Sequence, residues 1–216
     1  MAFNPFKTPL GDQLNVGDLQ QLVGRVAEGY TVEYKEAFPD RKKIGHSLAS
    51  FANTYGGWYI VGVRTDNNNV ASEVCGYDTF DYPDAISTVR DIARSHIDPT
   101  PVLYPQIVAL EVNRAVLLVF VPGEQETPFI MKDGRIYRRV YDSSDPIPEA
   151  NRYAVDRLFE QGRTRRERFR QFCQDDRDFS SDEEDQGWMF FSRHIPKASK
   201  NYPRRCQLIL WTIYWR

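Results

Sequence analysis

The sequence predicts an α+β domain, a mixed or antiparallel sheet with helices packed on it. Three observations predict it. Apolar residues recur at helical spacing within residues 16–26, 43–53 and 83–97. Short apolar or alternating runs of strand length stand between and after those windows. Two pairs of the later runs are joined by turn signals, Asn113-Arg114 and Lys132-Asp133-Gly134, which suit antiparallel hairpins.

The elements follow in order. Residues 16–26 (VGDLQQLVGRV) place Leu19, Leu22, Val23 and Val26 on one helical face, and Gly29 stands where that helix should stop. Residues 31–35 then alternate, with Val32 and Tyr34 to one side and Glu33 and Lys35 to the other. Helical spacing returns at Ile44, Leu48, Phe51 and Ala52, and Gly56 and Gly57 offer a left-handed cap. The continuous apolar run 58–63 (WYIVGV) reads as a strand covered on both faces. Residues 66–69 (DNNN) form a turn. Pro83 opens a helix whose stripe is Ile86, Val89, Ile92 and Ala93. Two hairpins follow, over 102–121 and 128–140, the second carrying the stronger Asp-Gly signal. A last helix starts near Pro148, with Ala154, Val155 and Leu158 facing inward.

Composition bounds the function. The chain has 216 residues, with 41% hydrophobic and 27% charged, ordinary for one globular domain with an appendage. A net charge of −2 excludes a polycation, so nucleic acid would have to meet a local patch. Cys75, Cys173 and Cys206 are odd in number and far apart, which fits a reducing cytoplasm and neither a disulfide framework nor a zinc spacing. The start shows no basic region followed by an apolar run, and the apolar stretch 206–215 is about half the length a spanning helix needs. No membrane partner is expected. His46, His96 and His194 are isolated, and no serine sits in a nucleophile elbow.

Near Gly162 the composition changes. Residues 163–170 carry five arginines and one glutamate, and residues 175–185 carry seven acids and one arginine. Adjacent blocks of opposite sign read as solvated linker. The expected organisation is therefore a folded domain over 12–162 and a charged linker and extension over 163–216.

Residues 28–37 (EGYTVEYKEA) crowd three glutamates and a lysine into a helix–strand junction. On spacing alone, Glu33 and Lys35 are exposed partners on a strand and Glu28 is a surface acid at a helix end. The basic hairpin with Lys132, Arg135, Arg138 and Arg139, together with Arg152 and Arg157, is the best phosphate-contact patch. Tyr137 reads as core. ATP is not expected: no G-x-x-x-x-G-K-[ST] occurs, and the glycines of FANTYGG follow a helix instead of opening one.

The ordered set Glu28–Lys35 (ExxxxEYK), 50–57 (SFANTYGG), 60–63 and Tyr137–Ser143 resembles the Schlafen AlbA-type domain, over residues 12–162. Such domains are often described as DNA-binding. In Schlafen proteins with ribonuclease activity, two glutamates five apart and a downstream aspartate hold a metal. The resemblance implies that role for Glu28, Glu33 and Asp66, with Mg²⁺ or Mn²⁺ as the ion. It also implies a phosphate contact for Lys35 and a homodimer, since Schlafen cores pair two modules. Two positions depart from the pattern: Thr65 and Tyr141 stand where the family usually carries aspartate and glycine.

The expected function is a nucleic-acid-binding module, for DNA or RNA, with a regulatory role. The alternatives are a metal-dependent endoribonuclease acting on RNA such as tRNA, and a protein-interaction adaptor that works through its tail.

Overall fold

The computed structural model describes residues 3–123, 125–140 and 145–174. The expectations attached to Tyr141, Ser143, the acidic block and the apolar tail lie outside the described residues. The chain forms two compact units, residues 1–163 and 164–216.

The first unit begins with α1 (Val16–Gln20), capped by Asn15 in a capping box with Asp18. Its elements continue as β1 (Val32–Lys35), α2 (Arg41–Ala52), β2 (Gly56–Val61), β3 (Val63–Thr65), β4 (Ala71–Val74) and β5 (Tyr77–Asp78). Then come α3 (Ala85–His96), β6 (Ile97–Asp98), β7 (Tyr104–Glu111), β8 (Arg114–Pro122), β9 (Ile130–Met131), β10 (Tyr137–Arg138) and β11 (Ile147–Pro148), and α4 (Arg152–Gln174) begins within the unit.

The fold is α+β with a mixed sheet. Strand β8 is its centre. Strand β7 pairs antiparallel along one side of it, joined by a turn with Asn113 at φ 65°. Strand β2 pairs antiparallel on the other side, from Gly56 opposite Pro122 to Val61 opposite Leu117, and β5 continues that side at Ala115. Strand β1 adds parallel to β2, with Glu33 opposite Tyr59.

Alternation sorts the apolar residues onto two faces. Tyr59, Val61, Leu117, Val119 and Val121 pack with Leu48, Phe51, Val89 and Ile92 of α2 and α3. Val32, Tyr34, Trp58, Ile60, Leu118 and Phe120 pack with Phe6, Leu14, Leu19 and Leu22 on the opposite face. Strand β2 is buried along its whole length, as its continuous apolar run predicts.

Three boundaries differ from expectation, each for a physical reason. Helix α1 ends at Gln20, because Gly24 turns at φ 70° and donates its N–H to Ala71 O. Asn53, not a glycine, caps α2. Gly56 instead holds φ 77° where the chain passes the backbone of Val121 and Gly123, and a Cβ there would collide with both. The arginine run 163–170, read above as linker, is helical as part of α4. The early part of that helix is tied to the sheet domain by buried Leu158, whose carbonyl accepts from Thr127 Oγ1 at 2.7 Å.

Candidate nucleic-acid interface

Glu33 is fully inside. Strand alternation turns it away from the Val32/Tyr34 face, but α2 and the chain at Arg139 cover that side, so it is only 2% exposed. Both carboxylate oxygens are engaged. Arg139 Nη1 donates to Oε2 at 2.7 Å, Ser47 Oγ donates to Oε1 at 2.8 Å, and Lys35 Nζ stands 3.0 Å from Oε1. Arg139 is itself buried, with Nη2 donating to Gly29 O at 2.8 Å and its guanidinium 4.2 Å from the centre of the Phe51 ring. The strand-face pair expected at the surface is instead the ionic centre of the α2–sheet junction. Buried charges persist in this way only when each is paired and hydrogen-bonded.

Glu28 lies half-buried beside β1 and accepts the Tyr34 N–H at 2.7 Å. Burial pushes its carboxyl above the ordinary range, with the Tyr34 N–H and Lys35 opposing that rise and Glu33 adding to it. The backbone brings Glu28 next to the 66–70 turn, for its N–H donates to Asn69 O at 2.7 Å. Asp66, however, is exposed, and its Oδ1 accepts the N–H groups of Asn68 and Val70 at 2.8 and 2.9 Å, holding its own turn. Among the described residues, no group of three His, Cys, Asp or Glu side chains is placed to hold a metal ion. Arranged in this way, Glu28, Glu33 and Asp66 do not fit the divalent ion the resemblance implies. Glu33 is held by cations and a hydroxyl, and Asp66 is exposed with its Oδ1 committed to its own turn.

The expected phosphate contacts separate into groups. Arg139 belongs to the buried centre, and Lys35 pairs with Glu33 from its half-exposed edge. Arg138 is half-buried and pairs with Glu149 at 2.9 Å. Arg152 is exposed on α4, 3.7 Å from Asp156 one turn on. Lys132 and Arg135 are exposed on the turn between β9 and β10, and neither has an ion pair among the described residues.

That turn meets the N-terminus of α2, where Lys42 Nζ is 3.3 Å from Asp133 Oδ2. Arg41, Lys42 and Lys43 are exposed there, just after the N-cap Asp40, whose side chain accepts the Lys42 and Lys43 N–H groups. The patch thus joins five cations, Arg41, Lys42, Lys43, Lys132 and Arg135, against two acids, Asp40 and Asp133. The basic triplet after Asp40 is visible in the sequence, yet only the fold brings it to the second hairpin.

His46 sits under this patch, stacked on the buried Tyr137 ring with centroids 4.0 Å apart. Burial first, then Lys42, pushes its imidazole below the ordinary value, and Asp133 and Asp40 oppose them. A cleft of about 720 Å³ lies elsewhere, among Glu36, Phe38, Cys75, Tyr82 and Glu111, with Arg64 bridging Glu36 and Glu73.

Residues 28–148 match the family model described as Schlafen, AlbA_2. The chain belongs to this family. The matched span takes in the buried ionic centre, α2, the whole sheet and the second hairpin. Among solved structures, the AlbA_2 chain is similar to the DIP2311 protein of Corynebacterium diphtheriae, at 20% identity and a TM-score of 0.38, over 62% of this chain and 26% of that one. It is also similar to the N-terminal domain of a RecG-related protein of Nitrosomonas europaea, at 24% identity and a TM-score of 0.39, over 55% of this chain and 83% of that domain. The chain thus spans about a quarter of DIP2311. No curated protein matches it. No helix among the described residues is long and apolar enough to cross a membrane.

Proposed function

We propose that this AlbA_2 domain binds nucleic acid through the cations gathered at the N-terminus of α2 and on the 132–135 turn. The observation that carries the reading is their grouping. The Lys42–Asp133 pair brings together two elements distant in sequence that carry five exposed cations, in a chain whose net charge is −2. Phosphates neutralised by such a patch release condensed counterions, so affinity should fall steeply with salt. Membership of a family often described as DNA-binding points the same way.

The test is binding of labelled nucleic acid across a salt series, with wild type and the Lys132→Ala/Arg135→Ala double variant. Both side chains are exposed, so the variant should keep its fold. Each lost phosphate contact should lower the slope of log K against log salt by about 0.7 to 0.9. An unchanged slope, or no salt-dependent binding by wild type, refutes the reading.

A further inference from the structure

We propose that Tyr55, backed by Tyr30, is a stacking platform for an unpaired base, so that the nucleic acid taken by this domain is single-stranded. The inference rests on the nucleic-acid reading above and adds a second, aromatic end to its surface.

Tyr55 follows α2 and exposes 75% of its surface. Its ring lies 5.7 Å from that of Tyr30, tilted by 46°. Tyr30 is half-buried, which fixes the back of the pair. The backbone behind Tyr55 is fixed as well, because Gly56 is packed against Val121 and Gly123. An exposed aromatic ring on a rigid base gains little for the fold. It does offer a flat, pre-positioned face to a ligand.

The platform and the cations are the two ends of one track. Residues 129–139 run along α2. Asp133 pairs with Lys42 at the helix start, Tyr137 stacks on His46 at mid-helix, and Asn53 at the helix end donates to both Phe129 O and Tyr137 O. The Arg139 N–H then reaches Thr54 Oγ1. Arg135 therefore lies toward the cationic end, and Arg138 precedes Arg139, which bonds Thr54 and Gly29 beside the two tyrosines. Twelve helical residues separate the two ends by about 18 Å. A strand whose phosphates sit at the helix start can lay a base on Tyr55 at the other end. A duplex keeps its base faces inside its own stack and offers the ring none.

The test uses the full 216-residue chain. Fluorescence anisotropy would compare a labelled single strand of about a dozen nucleotides with the duplex of the same sequence. Tyr55→Ala should weaken single-strand binding about tenfold, while Tyr55→Phe, which keeps the ring, should stay within about twofold. Duplex binding should be the same in all three proteins. Equal single-strand affinity in Tyr55→Ala, or an equal loss on duplex, overturns the platform. Wild type binding duplex alone overturns this inference and leaves the nucleic-acid reading standing. Wild type binding neither at low salt overturns both.

Discussion

Removing the Glu33 carboxylate should destabilise this protein before it reports on any chemistry. In Glu33→Ala the guanidinium of Arg139, whose side chain has no exposed surface, loses the carboxylate 2.7 Å away. Gly29 O and the Phe51 ring stay against the guanidinium, and neither carries a negative charge. Breaking a buried pair from one side costs about 3–5 kcal/mol. Domains of this kind hold about 5–15 kcal/mol in total. For a chain of this length the loss corresponds to a Tm lower by roughly 6–20 °C. Urea unfolding followed by circular dichroism at neutral pH measures it. Replacing both partners, as Glu33→Leu with Arg139→Met, should bring stability back to within about 1 kcal/mol of wild type, since the desolvation cost disappears with the pair. A loss below about 1 kcal/mol in Glu33→Ala, or a double variant less stable than the single one, would refute the account of the ionic centre. A binding or cleavage defect in Glu33→Ala is therefore no evidence that Glu33 is catalytic.

Glu28→Gln should keep or raise stability at pH 7. The folded-state pKa is raised above 4.5, so ionised Glu28 opposes folding at neutral pH, and that penalty fades as pH falls through the folded value; glutamine still accepts the Tyr34 N–H. A variant less stable by more than about 1 kcal/mol would contradict this. For His46 the sign is opposite. Its folded-state pKa lies below 6.5, so the unfolded chain binds more protons in the window between the two values, and stability is lost as pH falls through it. His46→Phe, which keeps a ring over Tyr137, should flatten that part of the stability–pH curve, and parallel curves would show that His46 does not contribute. Gly56→Ala should cost at least about 1–3 kcal/mol, because alanine must accept φ 77° against the Val121 and Gly123 backbone; a wild-type melting curve would refute it. Added Mn²⁺ should leave Tm within about 1 °C, and a clear rise would show that the carboxylates regroup around the ion.

Periodicity alone determined much of the fold. The apolar spacing in α2 and α3, the doubly covered β2 and the β7–β8 hairpin are readable because each pattern reports only which side of an element is dry. The motif series from Glu28 to Ser143 was likewise enough to suggest the family. Local signals failed where a distant backbone decides. Gly56 looks like a helix cap, but its conformation answers to Val121 and Gly123, about 65 residues away. The arginine run gave no sign of its helix, because charge blocks describe solvation and leave backbone geometry open.

The site shows the division most clearly. Alternation places Glu33 and Lys35 on the same side of β1, and sequence can go no further, because polarity does not reveal what covers a face. Only the tertiary structure brings Arg139, 106 residues on, under α2 to meet Glu33, turning an apparent surface acid into a buried counter-ion. The same packing splits Arg138 from Arg139, sets Lys132 and Arg135 beside the cations of α2, and puts Tyr55 next to Tyr30. The sequence by itself determined which residues carry charge and where the dry faces lie. The long-range packing of the second hairpin on α2 decided which charges are left to face a ligand, because burial and ion pairing depend on partners far along the chain.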